Sequence, residues 1–329
     1  MAQEELSSVS VIIPTYQARR ELPGLWATLR QQSLQPQEVL VVDSSSPDGT
    51  AELASQLGAR VLVIPKEEFN HGLTRTLAGR QARGQVLVYL TQDARLARPD
   101  SLARLVSALR GERVAMAYGR QLAPAGMGTL SAMHRLFNYH HRSYVFSYQD
   151  RQRFGLRTVF ASNSFAAYRR RVLEQIGWFP DLPALEDVHA AARLLRAGYR
   201  IAYVAEALVF HAHPFSLKRE FQRYLTIGRF YATQRWILEE FGLVEGEGRR
   251  YLLFALKHLA RKPHLLGLFF LQAGVRYLAY RLGLLLGARQ SVIPKRHQRS
   301  KLSLSGDIKT KIQTYRLPKS SPKITKRFL

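Results

Sequence analysis

The chain of 329 residues has no cysteine, which excludes a disulfide framework and any zinc site built on thiolates. It is also poor in acids: 24 aspartates and glutamates face 49 lysines and arginines, for a formal charge of +25. A surplus of that size attracts anionic partners over long range, and nucleic acid, anionic lipid and diphosphate substrates all qualify. Long apolar runs are missing too. The stretch from Leu265 to Leu271 falls well short of the about 20 residues a bilayer-spanning helix needs, so no transmembrane helix is expected. The opening residues, MAQEELSS, lack the basic and apolar regions of a signal peptide, which predicts a cytoplasmic protein. What the chain does have is a 46% hydrophobic content, enough for a large core without covalent staples.

Apolar β-branched runs at Val9 to Pro14, Val39 to Val42, Arg60 to Ile64, Val86 to Leu90 and Val114 to Tyr118 read as buried strands. Between them lie helical spacings: Leu22, Leu25, Trp26 and Leu29, then Leu102, Leu105, Val106 and Leu109. Ser46 with Pro47 predicts one helix start and Pro99 another. This alternation implies an α/β fold with a Rossmann-like mixed, mostly parallel sheet flanked by helices, in which ligands bind outside the carboxyl ends of the strands. From Gln121 to Arg157 the alternation stops. An aromatic stretch there, including Phe137, Tyr139, Tyr144, Phe146 and Tyr148, reads as an excursion over the site. Val188 to Arg196 is an amphipathic helix closed by Gly198, and Ile201 to His211 supplies further strand. The predicted division is a catalytic unit over 1–215, a helical extension over 216–288 and a flexible basic tail over 289–329. That tail carries twelve lysines and arginines and one acid, Asp307.

Several constellations could carry chemistry, each with a plainer alternative. Asp43 ends a strand and precedes Ser44, Ser45, Ser46 and Asp48; it could accept from the imide N–H of uracil or thymine, or merely cap a turn. In Phe69-Asn70-His71-Gly72-Leu73-Thr74-Arg75, the glycine, the helix start and the arginine suit a diphosphate, though an ordinary loop looks the same. Asp93, after Thr91 and Gln92 at a strand end, could hold Mg²⁺ or Mn²⁺, hard cations that take oxygen ligands, or cap a helix. Glu186 and Asp187 stand at a helix N-terminus, where either could be a general base or a capping acid. His211 and His213 alternate along an extended segment and so point the same way, as two metal ligands from one strand would.

Taken together, Asp43, Asp93, Glu186-Asp187 and His211 resemble the family 2 glycosyltransferases of the A-type (GT-A) fold over about residues 9 to 213. SVIIPTY resembles the family's opening strand. The segments FNHGLTR, LTQDA, AYGRQ, FNYHHRS, ASNSFAAYRR, IGWFP, LEDV and HAHPFS resemble the rhamnosyltransferase branch that builds bacterial surface polysaccharides. The chain departs from the pattern at Thr91-Gln92-Asp93, where many members have Asp-x-Asp, and at Thr76, where that branch has asparagine.

The resemblance implies an inverting transfer of a sugar, L-rhamnose from dTDP-rhamnose, to an acceptor hydroxyl, with UDP-hexose or UDP-N-acetylhexosamine as alternative donors. It implies that Pro14, Thr15, Tyr16, Asp43, Asn70, His71, Gly72, Arg75, Gln92 and Asn163 line the nucleotide sugar. Asp93, His211 and His213 would hold a divalent metal, Mg²⁺ or Mn²⁺, and Asp187, beside Glu186, would take the acceptor proton. Processive relatives carry Gln-x-x-Arg-Trp; here Ala232 precedes Arg235-Trp236, which implies addition of one or a few sugars. The expected acceptor is a glycan or a polyprenyl-diphosphate-linked glycan. The basic helices and tail suggest peripheral contact with an anionic membrane surface, and an oligomer is open. A nucleic-acid-binding protein is the rival of another class. No recognised reader motif appears, and acids at strand ends would repel phosphates unless a metal intervened, so no nucleic-acid partner is expected.

Overall fold

The structure is a computed structural model, and it describes residues 8–213, 216–292 and 313–314. In chain order the first half contains β1 (Val9–Thr15), α1 (Leu22–Arg30), β2 (Glu38–Asp43), α2 (Thr50–Gln56), β3 (Arg60–Val63), α3 (His71–Gln81), β4 (Val86–Leu90), β5 (Arg95–Leu96), α4 (Ser101–Ser107) and β6 (Val114–Leu122). Then come α5 (Thr129–Asn138), β7 (Tyr144–Phe146), α6 (Arg151–Phe154), β8 (Phe165–Arg169), α7 (Arg170–Gln175), α8 (Glu186–Arg196) and β9 (Arg200–Phe210). Four helices follow, α9 (Leu217–Thr233), α10 (Arg235–Phe241), α11 (Val244–Leu259) and α12 (Leu266–Val292), with a two-residue strand β10 (Gln313–Thr314).

Among the described residues the strands form one sheet in the order β10-β3-β2-β1-β4-β8-β6-β9-β5, with β7 paired to β9. Strands β3, β2, β1 and β4 run parallel. Strand β8 is antiparallel to both β4 and β6, and β9 is parallel to β6. Two reversals restore the direction, so β1, β2, β4, β6 and β9 all end at the same edge of the sheet.

Side chains alternate across the pleat. Val11 and Ile13 of β1 join a core with Leu22, Leu25 and Trp26 of α1 and Leu102 and Leu105 of α4. Ile12 faces the other way, into a core with Tyr89, Tyr168, Leu194 and Leu195. That second core also takes in Phe230 and Tyr231 of α9, Ile237 and Phe241 of α10 and Tyr280 of α12. The helices beyond residue 215 therefore share a core with the sheet.

Several boundaries differ from the sequence reading: β6, expected over Val114 to Tyr118, runs to Leu122, and α8, expected from Val188, starts at Glu186. The helix expected at Ser46-Pro47 starts at Thr50 after Gly49, because the Ser46 hydroxyl donates to Asp43 Oδ1 at 2.7 Å and accepts from Gln17 N at 2.8 Å instead of capping. The helix expected at Pro99 starts at Ser101. Helix α12 runs through Arg289 to Val292, so the expected start of the tail lies within a helix; the rest of the tail lies outside the described residues, apart from β10. The interruption from Gln121 to Arg157 contains α5, β7 and α6; Tyr139 and Phe146 pack inward, with ring centres 5.5 Å from Phe160 and 5.6 Å from Phe154, whereas Tyr144 is exposed.

Helices α9 and α12 cross at glycine. A Cβ at Gly228 would lie 2.2 Å from the Tyr280 carbonyl oxygen and 2.9 Å from Gly283 Cα, and one at Gly283 would lie 2.2 Å from the Leu225 carbonyl oxygen. Backbone cannot yield as a flexible side chain can, so overpacking here costs about 1–3 kcal/mol or more. Gly228→Val is expected to lower the melting temperature by several degrees, and an unchanged melting curve would contradict this packing.

Candidate active site

The shared strand edge collects the polar residues singled out from the sequence. At the end of β2 the Asp43 carboxylate is 1% exposed. It accepts from Thr15 Oγ1 at 2.9 Å, Ser46 Oγ at 2.7 Å and Ser46 N at 2.8 Å. It thus ties the loop after β1 to the loop after β2. Gln92 makes a second tie, accepting from Tyr16 N at 2.8 Å and donating to Tyr16 O at 3.1 Å. Tyr16 in turn accepts from Lys66 Nζ at 2.6 Å, and Pro14 sits one residue inside β1. Gln17 and Ser45, next to these ties, adopt positive φ of 51° and 52°. Such conformations persist in non-glycine residues only where the surroundings over-determine them, and they cluster at functional sites.

The polar residues at the start of α3 are tied to the protein's own segments. Asn70 caps α3, accepting from Gly72 N at 2.9 Å and Leu73 N at 3.1 Å, and its amide donates to Asp181 at 2.9 Å. Gly72 does allow a close backbone approach, but to the 180–182 segment: an added Cβ would lie 1.8 Å from the Pro180 carbonyl oxygen. Arg75 is turned inward, with NH1 3.1 Å from Glu186 Oε1 and both groups at 4% side-chain exposure. The same nitrogen lies 2.8 Å from His71 Nδ1. Burial and the Arg75 charge hold the His71 imidazole below its ordinary range. Thr76 explains its departure from asparagine locally, since its hydroxyl donates to Phe179 O at 2.9 Å and accepts from Phe179 N at 3.1 Å. Trp178 is buried at 6% exposure.

Glu186 and Asp187 open α8 directly after Leu185, which has a φ of 58°. Their environments separate them. Glu186 is buried, neutralised by Arg75, and accepts from Asn163 Nδ2 at 2.9 Å. Asp187 is half-buried and accepts only backbone N–H groups, from Asn163 at 3.1 Å and Val188 at 2.8 Å. Burial, with the Glu186 charge added, pushes Asp187 up to about 7, against the lowering by those two N–H groups. Asn163 is fixed by Tyr168, whose hydroxyl donates to Asn163 Oδ1 at 2.7 Å.

Asp93, His211 and His213 converge beyond β4 and β9, with one ligand atom from each lying within 4.8 Å of the others. His211 Nε2 is 3.4 Å from Asp93 Oδ1, and His213 Nδ1 is 3.5 Å from Asp93 Oδ2. His211 Nδ1 lies 3.0 Å from Gln121 Oε1. Gln121 in turn donates through Nε2 to Ser162 Oγ at 2.8 Å, which leaves Oε1 as the acceptor and puts the imidazole proton on Nδ1. The Nε2 lone pair then faces Asp93, the orientation that outer-shell partners give to metal-binding histidines. When both imidazoles are protonated instead, burial still opposes ionisation of Asp93, but the hydrogen bond and charge of His211, with the charge of His213, hold its carboxyl well below the usual range. This donor set fits a divalent cation, and two imidazole nitrogens beside one carboxylate suit Mn²⁺ better than Mg²⁺.

Three contributors escaped the sequence reading: Gln121, Tyr168 and Arg135, whose Nε donates to His211 O at 2.8 Å. Gln121 had a usable signal, a polar residue near the end of an apolar strand, buried at 3% exposure. Tyr168 holds Asn163 from within the same segment, whereas Arg135 depends on a contact between distant segments.

The family described as "Glycosyl transferase family 2" matches residues 10–177. The chain is 39% identical over 279 residues to the O-antigen chain rhamnosyltransferase RfbN of Salmonella typhimurium, covering 84% of this chain and 89% of that one. It is also 39% identical, over 282 residues, to the O-antigen chain rhamnosyltransferase WbaN of Salmonella anatum, covering 84% and 90%. A solved mannosyltransferase from Pyrobaculum calidifontis, in complex with GDP-Man and Mn²⁺, has a TM-score of 0.57 at 21% identity and covers 86% of each chain. That likeness establishes the GT-A-like fold. With these matches across most of its length, the chain belongs to glycosyl transferase family 2 and is a glycosyltransferase.

Proposed function

We propose that the protein transfers L-rhamnose from dTDP-rhamnose, by an inverting and divalent-metal-dependent reaction, to a hydroxyl of a glycan carried on a polyprenyl diphosphate lipid. It would act in the cytoplasm, where the donor is available. The observation that carries the reading is the separation of two adjacent acids: Glu186 is neutralised by Arg75, whereas Asp187 is half-buried and raised to about 7. A base works best when its pKa lies near the operating pH. The donor assignment draws on the two rhamnosyltransferases that share 39% identity with this chain.

In this reading Asp187 takes the proton of the acceptor hydroxyl as its oxygen bonds to the anomeric carbon. The bond from that carbon to the diphosphate oxygen breaks with its electron pair, and attack from the opposite face inverts the centre. Asn163 holds Asp187 through its N–H and Glu186 through its amide, so one residue sets the position of both acids. Asp93, His211 and His213 would hold the cation, which when bound neutralises charge gathering on the departing diphosphate. Asp43 would accept from the thymine imide N–H. Uracil presents the same edge, so donor choice rests on the sugar and on contacts beyond Asp43.

A thermal-shift panel with Mn²⁺, Mg²⁺ or EDTA tests this, because a ligand that binds the folded state raises its stability. The expected result is a metal-dependent shift, larger with dTDP-rhamnose than with UDP-hexoses or UDP-N-acetylhexosamine. A larger shift with a UDP-sugar would replace the donor. Asp93→Ala is expected to remove the Mn²⁺-dependent part of dTDP binding. Outer-shell partners alone are worth about 10–100-fold in metal affinity, so loss of a ligand should exceed tenfold. Unchanged Mn²⁺-dependent affinity, read by calorimetry, would remove the metal assignment.

A further inference from the structure

Helix α12 runs for 27 residues and presents two unlike sides. One packs inward through buried Arg276, Ala279, Gly283 and Gly287. On the other, Leu271, Leu278, Leu282 and Leu285 are 53%, 66%, 40% and 65% exposed. At 3.6 residues per turn these four fall within one arc of about 60°, so their exposed surfaces form a continuous stripe. Scattered apolar residues are normal on a surface, whereas a contiguous stripe marks an interaction site.

The charges on this helix select the partner. From Leu266 to Val292 there is no aspartate or glutamate, and the exposed charged residues are Arg281 and Arg289. No helix among the described residues is long and apolar enough to cross a membrane. An apolar stripe with basic residues and no acid is the pattern of a helix that lies in the interface of an anionic bilayer. A second copy of the chain is disfavoured, because each copy carries +25 and their basic faces would repel.

We propose that the outer face of α12 docks on an anionic lipid surface, with the leucine stripe entering the headgroup region. The face lies one helix layer from the candidate site, because α12 packs on α9 at Gly228 while Tyr231 of α9 is buried in the core shared with α8. A lipid-borne acceptor would thereby be presented near Asp187 without its carrier leaving the membrane. Docking is read without any sugar nucleotide, so its failure and a failure of the donor assignment are distinguishable.

The test is sedimentation of the full chain with vesicles of phosphatidylcholine, alone or mixed with phosphatidylglycerol. The expected result is binding to the anionic vesicles, weakened by salt, and at least tenfold weaker for L278S/L282S/L285S. These leucines are exposed, so an unchanged melting temperature should certify the variant's fold. Because the chain has no cysteine of its own, a polarity-sensitive dye on Leu278→Cys gives an independent readout, expected to shift blue on anionic vesicles alone. Equal binding by the triple variant, no binding by the native chain, or a dye unmoved by vesicles would overturn the proposal. So would a dimer seen by light scattering that the triple variant loses while vesicles have no effect.

Discussion

Asp187→Asn is expected to abolish transfer while leaving donor binding intact, because removing a positioned general base usually costs about 10²–10⁴ in rate. The substitution is nearly isosteric, and its amide oxygen can still accept from Asn163 N, so calorimetric affinity for dTDP with Mn²⁺ should stay within a factor of two or so of the native value. The pH dependence follows from the same group. A base acts only when deprotonated, so kcat/KM should rise with pH through about 7 and fall off on the acid side. Stability carries the opposite sign. With its folded pKa above the unfolded value of about 3.9, Asp187 favours the folded state less and less as pH rises from about 4 to 7. Asp187→Asn removes that penalty and should melt at a higher temperature than the native chain at pH 8. Native-like transfer by the variant would end the assignment of the base, and a lower melting temperature at pH 8 would contradict the raised carboxyl.

Arg75→Met is expected to destabilise the fold by about 3–5 kcal/mol, the usual consequence of removing one partner from a buried ion pair. The stranded group would be Glu186, 3% exposed and adjacent to a second carboxylate. The double variant Arg75→Met/Glu186→Gln should recover most of the loss, since replacing both partners of a buried pair is often close to neutral. Chemical denaturation of the native chain, both single variants and the double variant closes the cycle. If the double variant were as unstable as Arg75→Met alone, the pair would not be what holds α3 against α8. Full stability with impaired dTDP binding in Arg75→Met would instead support the direct diphosphate contact that the sequence suggests for this residue.

These expectations show which parts of the site a linear reading can reach. Asp43 and Asp93 were legible because each follows a short, fully apolar, β-branched run, and a strand end in an α/β fold is where ligands bind. His211 and His213 were legible by their alternation. Asn70, Gly72 and Arg75 were found as a cluster, but their partners were not. Asp181, the Pro180 carbonyl and Glu186 lie more than a hundred residues further on, and no local pattern announces a pairing of that range. For the same reason the antiparallel strand β8 was invisible as a reversal: its apolar run Phe165–Tyr168 looks alike in either direction. The helix expected at Ser46 failed because a serine beside an aspartate has two possible jobs, and the strand-end aspartate won.

The position of β8 and β9 in the sheet has a consequence for biosynthesis. Strand β6 waits for β8 on one side and β9 on the other, and β9 delivers His211 and His213 only as it ends. A nascent chain released as far as residue 177, where the family match stops, holds β1 to β8 and Asp93 but neither Asp187 nor either histidine. Because non-local pairings are slow and leave strand edges open until they form, premature termination or slow translation past β8 would yield an aggregation-prone fragment with no catalytic capacity. The proposed metal ligands His211 and His213 follow β9, the last of the long strands to be synthesised, so on the proposed reading transfer cannot begin until the chain has been made past residue 213.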